Sequence, residues 1–111
     1  MRITTSLLTV LCGLLEACPG EVAGSDLINR YRVFSGTLYP VLDRLEKLGW
    51  IKGRWEDIDP HEEGRPRRKL YRLTAEGQLN AASLVVQNEH RLPKIAAAQI
   101  GLKGGANSYA C

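Results

Sequence analysis

The chain has 111 residues, 44% of them hydrophobic and 24% charged, with a formal net charge of +3. That length serves one domain burying roughly two-thirds of its unfolded surface, leaves no room for a second core, and is too apolar for disorder throughout. The charge balance alone names no partner, but nine of the fifteen Lys and Arg fall between Arg44 and Arg72, and local concentration outweighs the sum.

Arg2 and the run from Leu7 to Leu15 ahead of Cys18 have the outline of a secretory or lipoprotein signal. Thr9, Cys12 and Gly13 interrupt that run, Glu16 sits before the would-be cleavage site, and Leu7, Leu11, Leu14 and Leu15 recur at helical spacing. We read instead a core-facing helix from Thr5 to Ala17, with Thr4, Thr5 and Ser6 as cap candidates and Pro19 and Gly20 as the stop. No run reaches the ~18 apolar residues a membrane span needs. Cys12, Cys18 and Cys111 lack CxxC spacing and suggest neither a disulfide framework nor a zinc site. They read as reduced thiols of a cytoplasmic protein, with Cys12 and Cys18 in or near the core.

Gly24, Ser25 and Asp26 can cap a short second helix whose apolar residues are Leu27, Ile28 and Tyr31 and which ends near Arg32. Val33 and Phe34 are expected to plug the space between helices. Ser35 is the next cap candidate, and Leu38, Leu42, Leu45 and Leu48, with Val41 beside them, predict the strongest helix of the chain. Its polar side carries Tyr39, Asp43, Arg44, Glu46 and Lys47, and Gly49 ends it. Pro40 leaves the carbonyl of Gly36 without a helical partner. Two readings stay open there: a tolerated kink, or a glycine-started first turn that lets backbone approach a phosphate.

Residues 50–56 and 68–74 alternate as two antiparallel strands. Ile51 and Trp55 share one pleat face against Lys52 and Arg54, as Lys69, Tyr71 and Leu73 do against Leu70 and Arg72. Residues 57–67, with Pro60, Gly64 and Pro66, are too long for a tight turn and predict a projecting loop. Thr74 opens a last helix with Leu79, Ala82, Val85 and Val86 as its apolar stripe, running to about Arg91 before Pro93. Ile95 to Ile100 can add a turn or two, and the tail from Gly101 lacks periodicity.

The fold class predicted is mainly α with a two-stranded β wing: a winged helix-turn-helix followed by a C-terminal helix. A helix entering the major groove needs short side chains at its tip and longer hydrogen-bonding ones a turn later. Ser35, Gly36, Thr37 and Tyr39 meet the first need, and Arg44 and Lys47 the second. Arg44 can reach a guanine edge or a phosphate, according to how deep the helix sits. In the loop, Arg65, Arg67, Arg68 and Lys69 crowd together, and a polyanion that releases counterions is a reason to keep like charges so close. Asp57, Asp59, Glu62 and Glu63 are the acids expected to neutralise them otherwise. Leu84, Val85, Val86 and Leu92, with Leu7 and Leu11 of another chain, are the residues expected at a dimer interface; packing within one chain competes. His61 and His90 are isolated, no GxSxG or phosphate-cradling GxxxxGK[ST] is present, and no enzyme, cofactor or metal is predicted.

Two pieces, SGTLYPVLDRLEKLGWI and GRPRRKLYRLTAEG, resemble the PadR family of winged-helix transcriptional regulators, over about residues 5 to 90. The resemblance implies that the SGTLYP helix is the recognition helix, that the wing contacts flanking DNA, and that the C-terminal helix builds a dimer. It places Ser35, Gly36, Thr37, Tyr39 and Pro40 at the DNA surface and Arg67 to Lys69 in or beside the wing. It also implies a repressor released by a small molecule, often aromatic. A single short C-terminal helix makes the chain similar to the small subgroup of that family.

The organisation expected is therefore residues 1–74 as the DNA-binding unit, 75–100 as a dimerisation helix and 101–111 as a flexible tail. The expected partner is double-stranded DNA with an inverted-repeat operator, bound by a cytoplasmic homodimer with no membrane contact. Two alternatives are a winged helix used for protein contact and a small monomeric architectural or accessory protein in recombination.

Overall fold

The computed structural model describes residues 2–96. Helix α1, Thr5–Ala17, starts where the Thr4 hydroxyl accepts the Leu7 amide at 3.0 Å, which selects Thr4 among the three cap candidates. Every residue from Leu7 to Leu15 on it is buried, so α1 is the central rod and the others pack around it. No helix among the described residues is long and apolar enough to cross a membrane.

Strand β1, Val22–Ala23, leads into α2, Gly24–Tyr31, and α3, Ser35–Lys47, follows after a three-residue turn. Strands β2, Ile51–Trp55, and β3, Lys69–Leu73, flank a loop that holds the one-turn helix α4, Pro60–Glu63. Helix α5, Ala75–Gln87, ends in a 3-10 turn at Glu89–Arg91. The sheet is antiparallel in the order β1-β3-β2, with Val22 opposite Tyr71 and Ile51 opposite Leu73.

Several expectations need correction. The wing was expected with two strands, but β1 adds a third; two residues are too few to show a period, and only pairing with β3 makes them a strand. Ser35 is the first residue of α3 and not its cap; Phe34 takes the cap position and no side chain caps it. Val33 plugs the core as expected, but Phe34 is 83% exposed. The last helix stops at Gln87, four residues early, where the Asn88 side chain donates to the Leu84 carbonyl and closes the turn. Cys12 is a free buried thiol whose pKa burial pushes up to about 12. Cys18 is disulfide-bonded, contrary to the reduced thiol expected, because an odd count and the lack of CxxC spacing do not decide which thiols are oxidised. Cys111, the segment 97–100 and the tail 101–111 lie outside the described residues.

The core gathers α1 with Leu27, Tyr31, Leu38, Leu42, Leu45, Ile51, Tyr71, Leu73, Ala81 and Val85. Leu7, Leu11 and Val85, expected at a dimer interface, are spent here, where α1 lies along α5. Arg91 ties the two further by donating to the Ile3 carbonyl. The exposed large apolar residues of α5 are Leu79 and Val86, with Ala82 partly exposed between them.

Candidate nucleic-acid interface

Leu38, Leu42 and Leu45 fasten one side of α3 to the core. Half a turn round, Gly36, Pro40, Asp43 and Lys47 form its outward ridge, all exposed. Thr37 and Arg44 lie on one flank; Tyr39 and Glu46 lie on the flank nearer the wing. A side chain added at Gly36 would meet nothing within 4 Å, so the protein's own packing does not demand glycine there. The position is open to a close approach from outside. Lys47 pairs with Asp43 at 2.9 Å, a solvated i,i+4 contact that bound phosphate can displace. Arg44 forms no ion pair among the described residues.

The wing's direction follows from its pleat. Ile51, Gly53 and Trp55 stand opposite Leu73, Tyr71 and Lys69, so these six share one face. Ile51, Tyr71 and Leu73 are buried, while Trp55 and Lys69, further along, overhang the core and come out beside α3. Gly53 leaves room for the Lys69 side chain, which reaches past it to Glu46 at 3.3 Å and sits 5.5 Å over the Tyr71 ring; a Cβ there would push the end of that lysine aside.

Tyr39, on the same flank, is held from α2. Its ring packs against the Gly24 backbone, where an added Cβ would lie 2.9 Å from it, so the start of α2 sets the position of the Tyr39 hydroxyl. Between these parts lies a concavity of about 420 Å³ whose walls include Ser25, Tyr39, Trp55, Arg67 and Arg68. Helix tip and wing thus open onto one space.

The cationic loop is ordered by an acid that sequence reasoning missed. Glu56, only 10% exposed, accepts from Arg65 at 2.7 and 3.1 Å, from the Arg68 side chain at 3.2 Å and from the Arg68 amide at 2.8 Å. These bonds hold its carboxyl well below the ordinary value of 4.5, Arg65 contributing most. Arg68 also lies 3.8 Å from Asp26. Arg65, Arg68 and Lys69 therefore each have an internal counter-charge. Arg67 uses only its Nε, on the Ile58 carbonyl at 2.9 Å, and keeps the outer face of its guanidinium for another acceptor. On the sheet's other face Arg54 grips Glu21 with two bonds of 2.7 Å, while Lys52 and Arg72 stand exposed.

The sign of the Glu56 effect is fixed by its lowered pKa. Its stabilisation is present above 4.5 and drains away as pH falls, because the unfolded chain then takes up a proton that the folded one refuses. Thermal unfolding between about pH 5 and pH 3 should show a steeper loss of melting temperature for the wild type than for Glu56→Gln. Equal slopes would mean that the carboxylate is not held in solution.

No group of three His, Cys, Asp or Glu gathers as a metal site among the described residues. The structure resembles several solved proteins. The circadian clock associated protein Pex from Anabaena is 26% identical with a TM-score of 0.62, over 78% of this chain and 76% of that one. The protein smu.1704 from Streptococcus mutans is also 26% identical, with a TM-score of 0.61 over 81% and 85%. A PadR-like transcription factor from Bacteroides fragilis is 26% identical, with a TM-score of 0.59 over 78% and 84%. No curated protein matches the chain. The family model "Transcriptional regulator PadR-like family" matches residues 25–83, from α2 through most of α5 and more than half of the chain. Sequence motif, winged fold and family match agree, and the chain belongs to the PadR-like family of transcriptional regulators.

Proposed function

We propose that the chain is a dimeric repressor that binds an inverted-repeat operator in double-stranded DNA. Each subunit sets the tip of α3 in a major groove, with half-sites about one helical turn apart, and lays its wing on the flanking backbone. The observation that carries this reading is the shared concavity, in which Tyr39 of α3 faces Trp55, Arg67 and Arg68 of the wing. One duplex can touch both surfaces at once. Ser35, Gly36, Thr37 and Pro40 come nearest the groove floor or its edges, Arg44 and Lys47 follow a turn later, and Arg67 leads the wing contacts. Arg65, Arg68 and Lys69 act chiefly by shaping the loop and by their field.

Residues 75–100 serve as the dimerisation segment, with a seam that differs from the one expected. Val85 is buried within the chain and Leu84 is half-buried, as is Leu92, whereas Leu79, Ala82 and Val86 follow the i, i+3, i+7 spacing of an exposed helix seam. An apolar stripe of that spacing fits a second copy of itself across a two-fold axis. The protein works in the cytoplasm, where it blocks polymerase at a promoter. Release by a small aromatic effector belongs to this proposal through the family resemblance, and we assign no residue to it.

Two measurements test the reading. Duplexes selected from a random pool by the purified protein should converge on a two-fold symmetric consensus; an asymmetric consensus or none overturns the operator geometry. In fluorescence anisotropy across a salt series, Arg67→Ala should weaken binding to every sequence and lower the salt slope by about one unit. An unchanged slope would remove Arg67 from the contact.

A further inference from the structure

Trp55 ends β2 with 63% of its surface exposed, and folding does not account for so large a ring there. On the same pleat face Ile51 is buried, but Trp55 stands past the edge of the core, opposite Lys69. Its side chain gains little burial, and its indole N–H meets no acceptor among the described residues. The ring nevertheless has a defined outlook. It walls the same concavity as Ser25, Tyr39 of α3, and Arg67 and Arg68 of the wing loop.

That concavity is the space the proposed function gives to the duplex, and this inference rests on that reading. A strand running from the groove read by α3 to the wing crosses it, so sugar and phosphate pass there and base edges do not. The backbone alternates two chemistries, the anionic phosphate and the apolar C–H face of the deoxyribose. Arg67, with the outer side of its guanidinium free, and the Ser25 and Tyr39 hydroxyls suit the phosphate. The sugar needs an apolar wall, and the Tyr39 ring is already packed against Gly24. An indole supplies that wall and carries one N–H donor at its edge, so it matches a sugar beside a phosphate. We propose that Trp55 is a backbone-contact residue that packs its ring on one deoxyribose of each half-site and donates its N–H to the adjoining phosphate. The contact carries no sequence information; it fixes where along the strand the wing sits relative to α3.

Anisotropy across a salt series, with the duplex selected by the wild type and with a random one, tests this for Trp55→Ala and Trp55→Phe. Trp55→Ala should weaken both duplexes by the same factor, about fivefold for each subunit engaged. Its salt slope should equal that of the wild type, because a neutral side chain releases no counterion. Trp55→Phe keeps a ring, loses the N–H and should fall between the two. The change in tryptophan emission on adding DNA should be seen in the wild type and lost in Trp55→Phe, which retains Trp50. Both variants should melt within about 3 °C of the wild type, as a side chain this exposed permits. A loss confined to the selected duplex overturns the assignment in favour of a base contact. A slope lowered by about one unit overturns it in favour of an indirect effect on the neighbouring arginines. Unchanged affinity in Trp55→Ala overturns the contact while leaving the DNA-binding reading intact, and a clearly lower melting temperature in both variants overturns it in favour of a structural role. A wild type that retains no duplex at all removes the DNA reading and this one with it.

Discussion

Gly77→Ala should destabilise the protein by about 3 kcal/mol and lower its melting temperature by about 15 °C, measured by circular dichroism in thermal and urea unfolding. The first turn of α5 lies so close to the start of β2 that a Cβ at this position would run into the Trp50 carbonyl. That carbonyl cannot step aside, because it accepts the Thr74 amide at 2.9 Å and the Thr74 hydroxyl at 3.2 Å. The same hydroxyl caps α5 by accepting the Gly77 amide at 3.0 Å, so a shift anywhere in the cluster costs several bonds together. Alanine does favour a helix over glycine, by roughly 1 kcal/mol in an interior and less in a first turn, which is too little to offset the collision. Gly13 is the useful control. A Cβ there would meet the ends of the Leu27 and Tyr31 side chains, which can rotate where backbone cannot, and Gly13→Ala should lose clearly less. Similar losses in the two variants would show that the α5 junction is softer than its geometry implies.

In the proposed dimer, Leu79→Asp should separate the subunits and weaken binding to the proposed operator at least about 100-fold, since the second half-site would no longer be held at high local concentration. Leu79 is 76% exposed within one chain, so the substitution removes little from the fold and places a charge in the seam with Val86. Light scattering would report the mass, anisotropy the affinity, and an unchanged far-ultraviolet spectrum the intact helices. A variant that stays dimeric would exclude this face of α5 from the subunit contact.

The elements visible beforehand are those with a long period. Helix α1 runs over the span its leucine spacing predicts, and Leu38, Leu42 and Leu45 turn inward from α3. The two long strands pair in the pleat register that alternation implied. What escaped was short or was settled by neighbours distant in sequence. Helix α4 had its signals in place, the Asp59 cap, Pro60 at the first position and Gly64 at φ +68°, but one turn carries no apolar stripe to confirm them. Glu56 was passed over for the acids inside the loop; the strands set it across the neck, where its amide donates to the Arg68 carbonyl at 2.9 Å, and from there it reaches two arginines. On α5 the apolar run was visible, but only the seat of α1 decides which of its residues remain outside. The expected groove residues Ser35, Gly36, Thr37, Tyr39 and Pro40 are all exposed, while the loop cations divide into those bound internally and Arg67.

The two residues of β1 have a mechanical effect out of proportion to their number. They hydrogen-bond to β3 and run without a break into α2, whose first residue supports the Tyr39 ring. Hairpin and reading helix are thereby joined as the two jaws of a fixed caliper. In the proposed complex such a gauge would measure the distance from a major groove to the neighbouring backbone and favour sites whose local twist already supplies it. Base pairs that neither jaw touches would then affect affinity through the stiffness of the duplex between them.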